Sequence, residues 1–475
     1  MSRVVEIKPV TRIEGHAKIK IWLNEEGEVE DAHFHVLEVR GFERFLIGRP
    51  IEELPLITPR ICGICYTCHH LASAKAVDAC FGLRPEDLPE AANMLRELLH
   101  MAGFIHSHIL HFYLLAAPDL VLGPGADPRE RNFMGLLKAM PDTVKEVIKA
   151  RAIGQKMGEV VGGRAIHPVA AVPGGFSKPL SREDRDRLLQ DLKWLLGFAK
   201  STVELCEGLM EKHADLVREV GVLRTYHLGM VSEGGVHNLY HGRLRFIDPD
   251  GNVAAEFPYE KYLDFIAERV MDYSYLKFPY FKPAGWPKGI YRVNTLSRLN
   301  VADRMATPIA QEALERLRSK WGRPAHNALL FNLARCIELV AATERAIELL
   351  EDDKILSSNL RLPVKPREGE GIGVVEAHRG VLIHHYACDD RGITTDANLI
   401  VATVQNNPAF DLHVKEEAKR FIKRGEVREE LLNKIEMVIR AYDPCLSCAT
   451  HIMAERPELR IEVYDHRGEL VKVLE

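Results

Sequence analysis

The chain is short of the features that mark several protein classes. No apolar run reaches the roughly 18 residues a membrane helix requires, because the best candidate, Ala102 to Gly123, is broken by His106, His108, His111 and Pro118. A dominant charge sign is also missing: 63 basic and 68 acidic residues leave a net charge of -5 and no basic stripe. That balance excludes nucleic acid as the main partner. The opening Met1-Ser2-Arg3-Val4-Val5-Glu6 lacks the regions of a secretory signal. Nine cysteines, an odd number and clustered, do not read as a disulfide framework. A reducing, cytoplasmic location with no membrane span is expected. Glutamine occurs only at 155, 190, 311 and 405 while charged residues reach 28%, a composition of the kind thermophilic proteins show. There is no solenoid-period repeat and no low-complexity tract.

What the chain has is a large apolar fraction, 46%, over 475 residues, enough for one large helical body or two domains. Residues 17 to 39 alternate apolar and polar around Asn24-Glu25-Glu26-Gly27, which predicts a β-hairpin. Helical periodicity follows in four long segments, 90 to 116, 182 to 219, 309 to 351 and 412 to 441, which predict a bundle-like core. A second hairpin is predicted at 243 to 257, turning on Asp248-Pro249-Asp250-Gly251. Arg361 to Gly373, with two prolines and three glycines, is the best linker candidate. The fold class is mainly α with small peripheral β-sheets, an α+β arrangement.

Two Cys-x-x-Cys pairs stand at opposite ends: Cys62 and Cys65 in Arg60-Ile61-Cys62-Gly63-Ile64-Cys65, and Cys445 and Cys448 in Asp443-Pro444-Cys445-Leu446-Ser447-Cys448. The spacing lets two thiolates from one turn reach the same ion, with Gly63 allowing a tight bend. Pro444 predicts an extended Asp443 and a helix that stops at 441, just before the second pair. Soft sulfur donors select nickel, iron, copper(I) or zinc. Structural zinc modules close such pairs over tens of residues, not hundreds. Cys62-x2-Cys65-x2-Cys68 resembles the start of a ferredoxin cluster motif, but position 72 is Ala72. Cys68, Cys80, Cys206, Cys336 and Cys388 lack ligand spacing and read as buried small apolar residues.

Both cysteine motifs, with His69 four residues after Cys65 and His451 three after Cys448, resemble the signatures of the large (catalytic) subunit of nickel-iron hydrogenases. The resemblance extends to Arg12-Ile13-Glu14-Gly15-His16, Arg40-Gly41-Phe42-Glu43, His111-Phe112-Tyr113, Gly163-Arg164, His167-Pro168 and Glu376-Ala377-His378-Arg379-Gly380. It covers essentially the whole chain. Ala441 to His451 and the tail after it resemble the cytoplasmic, methyl-viologen-reducing type, which does not reduce the deazaflavin coenzyme.

The resemblance implies reversible heterolytic cleavage of dihydrogen at nickel and at iron carrying cyanide and carbon monoxide. It assigns Cys62 and Cys445 as terminal nickel ligands, with Cys65 and Cys448 bridging nickel to iron. Arg379 is implied above the open metal position, held by Asp119 and Asp443, and Thr403 bonds a cyanide. Arginine is a poor base on ordinary values, so the Cys445 thiolate is the expected proton acceptor and Glu14 the outward relay. Glu43, His451 and a backbone carbonyl near Leu399 are implied magnesium ligands, and His69 a hydrogen-bond partner of a bridging thiolate. His378 departs from the family, where most members carry proline, and predicts a modified surrounding of Arg379 with activity retained. His100, His106 and His108 read as packing residues.

No further cysteine set holds an iron-sulfur cluster, so an iron-sulfur small subunit is implied, with a further electron-transfer subunit of heterodisulfide reductase-like kind. The resemblance also implies an endopeptidase that cuts between His451 and Ile452. Residues 1-451 would then be the catalytic body and 452-475 a propeptide-like tail, in which Arg460 to Leu474 reads as a hairpin. Two rival functions differ in class. One is a metal-free scaffold like the quinone-site subunit of respiratory complex I, which four retained cysteines argue against. The other is a non-catalytic zinc or iron-sulfur protein, which the absence of nickel would reveal.

Overall fold

The structure, a computed structural model, describes residues 3–450, 461–464 and 470–474. The N-terminal segment forms a three-stranded antiparallel sheet, Arg3–Ile7, Ala17–Leu23 and Val29–Val36, with the predicted turn at Asn24 to Gly27. Alternation decides its faces: Ala17, Ile19, Ile21 and Leu23 enter the core, while Lys18, Lys20 and Trp22 stay partly exposed. The hairpin predicted at 243 to 257 is present as Arg243–Ile247 and Val253–Phe257.

Helices make up the body. Glu90–Leu110 continues through a π-helical turn at His111–Ala116, and Arg182–Lys212 is followed by Ala214–Glu219, much as the periodicity predicts. The other two long segments are each broken. Residues 309 to 351 divide into Pro308–Trp321 and Phe331–Glu351, and residues 412 to 441 into Asn407–Phe421 and Glu429–Ala441. Gly322, at positive φ, ends the first helix, and the extended Ile422 ends that at Phe421, ahead of a turn with left-handed Arg424 and Gly425, local signals weaker than the apolar period. Among the described residues, Glu90–Leu122 has the length and hydropathy of a membrane span, but 83% of its apolar window is buried inside the fold. A helix apolar all round is a core helix in such a setting.

The linker expectation for Arg361 to Gly373 does not hold. Gly369 onward forms the strand Gly369–Ala377, pressed against the helix Tyr66–Cys80. A side chain at Gly369, Gly371 or Gly373 would strike Cys80, Ala76 or Ala72 of that helix. The match is geometric: two strand residues advance about 6.6 Å and four helical residues about 6 Å. The glycines therefore serve close approach, not flexibility.

This contact positions the site. The helix begins immediately after Cys65, and the strand leads into a two-residue hairpin turn, His378-Arg379, closed by the Ala377–Gly380 pair. At the far end, Glu429–Ala441 stops before Pro444 as predicted, but Asp443 is left-handed (φ 55°) instead of extended. Its amide caps back to the Arg440 carbonyl at 2.9 Å, and an Asp tolerates this conformation better than most residues. One core cluster runs from Ile7 to Ala449, so both ends of the chain share it. In the tail, Ile461–Tyr464 and Leu470–Leu474 pair antiparallel, in keeping with the hairpin expected there.

Candidate metal centre

The two cysteine pairs meet. Cys445 Sγ lies 3.3 Å from Cys62 Sγ, 3.7 Å from Cys65 Sγ and 3.0 Å from Cys448 Sγ. All four sulfurs lie within 4.8 Å of one another, and each residue is at most 3% exposed. Four sulfurs about 2.3 Å from a shared ion would stand about 3.8 Å apart, so the donor set fits a soft metal after shifts of less than about 1 Å.

The backbone builds this cluster from both sides. Cys62 follows a 3-10 turn at Thr58–Ile61, and the amides of Ile64 and Cys65 donate to its sulfur at 3.3 and 3.4 Å. Cys65 heads the helix Tyr66–Cys80, whose N-terminal dipole favours a thiolate. Gly63 does not use glycine's freedom, and a side chain there would meet nothing within 4 Å. The indispensable glycine is Gly15, at φ +85°, where a β-carbon would meet Leu446 Cβ at 2.7 Å. That closeness allows a parallel bridge between Glu14 and Cys445: Glu14 donates to the Pro444 carbonyl and accepts from Leu446 N at 3.1 Å.

Charge is the central problem of such a pocket, since several thiolates together are unfavourable to bury. Arg379 answers it. Its Nη1 donates to Cys65 Sγ at 2.7 Å, Nε to the Asp443 carbonyl at 2.7 Å and Nη2 to Asp443 Oδ1 at 3.0 Å. Burial disfavours the cation, but Asp443 and the cysteines outweigh it and hold Arg379 charged. Hydrogen bonds from Cys445, Cys448 and Cys65 hold Cys62 well below the usual thiol range, while burial pushes Cys445 and Cys448 up. Packing these sulfurs together out of water opposes full ionisation, and bound cations are needed to hold all four as thiolates.

The remaining expected residues fall as follows. Thr403 Oγ1 accepts from Cys445 N at 3.0 Å. Glu14 Oε2 accepts from Ser447 N at 3.1 Å, and burial, then the charge of Cys62, raise its pKa. Asp119 is not beside Arg379: it binds Arg12 at 2.5 Å, Arg440 at 2.5 Å and Arg131 at 3.4 Å. Three guanidinium groups already saturate that carboxylate. Glu43 Oε1 accepts from the amide of Leu399 at 2.7 Å, with Lys277 Nζ 3.7 Å away. His451 and Ile452 lie outside the described residues. His378 is buried and kept neutral by burial and by Arg379; its Nε2 lies 3.5 Å from Cys68, not a cluster cysteine. His100, His106 and His108 are buried in hydrogen bonds to the Glu376 and Leu239 carbonyls, Arg151 and Glu338.

Sequence reasoning missed the brace behind Arg379. Arg298, fully buried, donates to both oxygens of Glu338 at 2.6 Å, to Glu376 Oε2 at 2.9 Å and to the carbonyls of Ala377 and His378. It fixes the backbone of the turn that carries Arg379. Glu376 was in view only as a neighbour of that arginine, and Arg298 sits in no motif. A cavity of about 380 Å³ lined by Lys75, Arg96, Tyr240 and Tyr259 shares no residue with the metal centre.

The family described as Nickel-dependent hydrogenase matches residues 40–126 and 199–451. The chain belongs to this family. A second description, HoxL-like, matches residues 4–39. One component of the vhc F420-non-reducing hydrogenase of Methanococcus voltae is 49% identical, covering 99% of each chain. The beta subunit of the NAD-reducing hydrogenase HoxS of Cupriavidus necator is 42% identical, again over 99% of each. The solved NAD+-reducing NiFe-hydrogenase in its H2-reduced state superposes with a TM-score of 0.91 at 41% identity, covering 94% of this chain and 99% of that one. The protein is thus a nickel-iron hydrogenase large subunit, the catalytic component of an oxidoreductase acting on dihydrogen, with the large-subunit fold. The four-sulfur site is where nickel and iron fit.

Proposed function

We propose that this subunit splits dihydrogen reversibly at the four-sulfur centre, sends the proton out through Glu14 and delivers the electrons to an iron-sulfur small subunit. Nickel and iron, when bound, polarise dihydrogen so that it separates heterolytically. The observation that carries the reading is the convergence of four sulfurs and one guanidinium in a buried site. Cys62 and Cys445 would hold nickel terminally, and Cys65 and Cys448 would bridge to an iron bearing cyanide and carbon monoxide. Thr403 stands one hydrogen bond from the Cys445 backbone, within the same shell.

Cys445 would take the proton once bound metal holds it as a thiolate, since Arg379 is held charged by Asp443. Glu14 is the next station: its raised pKa, caused chiefly by burial, suits a carboxyl that must gain and lose a proton. His69 would donate to a bridging sulfur. Glu43, the Leu399 carbonyl and His451 would hold magnesium, the first two as the hard oxygen donors that suit the ion and the histidine as an unusual nitrogen addition.

Exposed Leu37, Val39, Phe45 and Leu56 lie on the segments that lead into the cysteine loop, whose Gly63 is itself exposed, a fitting seat for the small subunit. Arg40 ties this region to the loop through the Ile61 carbonyl at 2.7 Å. A heterodisulfide reductase-like partner would take the electrons onward, in the cytoplasm. Residues 1-451 form the working body in this reading, and a maturation endopeptidase removes 452-475. Solved relatives cover 94–95% of this chain while being covered to 99–100%, a difference the size of that tail.

The test is dihydrogen-dependent viologen reduction by the purified complex, with nickel analysis. Wild type should turn over with nickel bound, and Cys445→Ser should lose activity while staying folded. Full activity in the variant, or zinc in place of nickel in the active protein, overturns the proposal.

A further inference from the structure

A buried chain of polar side chains runs between the helix Tyr66–Cys80, which begins just after Cys65, and the strand Gly380–Cys388. His69 Nδ1 lies 3.1 Å from His384 Nε2, His384 Nδ1 lies 2.5 Å from Tyr386 Oη, and Tyr386 Oη lies 3.1 Å from Ser73 Oγ. His69, Ser73, His384 and Tyr386 are all 0% exposed. The pattern follows from the two periods: residues two apart on a strand share a face, and residues four apart on a helix do too. At the other end of the chain, His69 Nε2 is buried with no hydrogen-bond partner among the described residues. His69 stands four residues after Cys65, one turn along the same helix face, with its amide 3.1 Å from the Cys65 carbonyl.

We propose that His384 and Tyr386 are positioning residues that lock His69 in the tautomer with its proton on Nε2, presenting a buried N–H to the bridging thiolates. The inference rests on the reading of His69 given under Proposed function and adds what holds it there. The Tyr386 hydroxyl has two acceptors in reach, Ser73 Oγ and His384 Nδ1; the nitrogen is nearer and more basic, so it takes the hydrogen bond. With Nδ1 accepting from the phenol, the His384 proton sits on Nε2 and is donated to His69 Nδ1. Because its Nδ1 accepts, His69 is left with its ring proton on Nε2. A buried N–H without an acceptor is unfavourable; in the reading of His69 given above, a bridging sulfur ionised by bound metal would be that acceptor. This is the arrangement that fixes metal ligands elsewhere in proteins, extended outward by one more imidazole and a phenol.

The experiment compares holoenzyme carrying Tyr386→Phe, His384→Leu and His384→Gln. It reads the infrared bands of iron's diatomic ligands, nickel retention against a chelator, and thermal melting. Tyr386→Phe and His384→Leu should shift the bands to lower wavenumber, as a lost N–H leaves more charge on the thiolates, and weaken nickel retention roughly 10- to 100-fold. His384→Gln, whose amide N–H replaces the lost donor, should restore both. If His384→Leu fails to fold, Tyr386→Phe alone decides, because it removes a single oxygen. Unchanged bands and nickel retention in Tyr386→Phe overturn the relay. A His69→Leu control separates the two levels: if it shifts the bands while the relay variants do not, only this inference fails; if it shifts nothing, the reading of His69 fails as well.

Discussion

At the scale of single residues, the fork of Arg379 sets the character of the site. One planar group reaches a sulfur, a backbone carbonyl and a carboxylate at once, each in a different direction. A lysine keeps the charge but is a point donor on a flexible stem. Arg379→Lys is therefore expected to retain nickel yet lose roughly 100-fold or more in turnover, the cost of removing one preorganised donor, measured by viologen reduction at matched nickel content. An unchanged rate would show that charge alone matters. The residues legible in the sequence were those whose motif is contiguous: the four cysteines, Arg379 and Asp443. Asp119 was misplaced because its true partners, Arg12, Arg131 and Arg440, come from three distant segments. The glycine freedom assigned to Gly63 belongs to Gly15, since only the folded chain brings Leu446 against it.

At the scale of elements, apolar periodicity located helical stretches but not their breaks, because the breaks at 322–330 and 422–428 carry apolar residues of their own. The glycines of Gly369–Ala377 look like a linker for the opposite reason: their meaning lies in the helix they touch. Tethers between elements were invisible for the same reason. His33, on the strand Val29–Val36, meets Asp411, on the helix Asn407–Phe421, at 3.4 Å and stacks on Tyr273. The Asp411 hydrogen bond raises the His33 pKa above 6.5, against the effect of burial. The folded state then holds a proton that the unfolded chain releases, so this stabilisation is full below pH 6.5 and fades as pH rises through the raised value. The melting-temperature gap between wild type and His33→Gln should thus narrow from pH 6 to pH 9. A gap independent of pH would mean the tether is not an ion pair.

At the scale of the molecule, both chain ends enter one core, and the site draws on residues 14, 62 to 65, 379 and 443 to 448. The meeting of the two extremities was legible from the cysteine spacing alone. The brace of Arg298, Glu338 and Glu376 was not, because buried ion pairs carry no local pattern. Closing the site demands nearly the whole chain, and the processing proposed above would follow metal loading. Intact-mass measurement of active enzyme should find a large subunit lacking residues 452–475; the full-length mass in active enzyme would refute processing.

The most direct measurement is X-ray absorption at the nickel edge of the purified, active complex. The expected spectrum has nickel surrounded by sulfur at about 2.2–2.3 Å, the range of metal-thiolate bonds, and loses part of that shell in Cys445→Ser. Nickel coordinated only by nitrogen and oxygen, or a spectrum indifferent to Cys445, would contradict the four-sulfur centre.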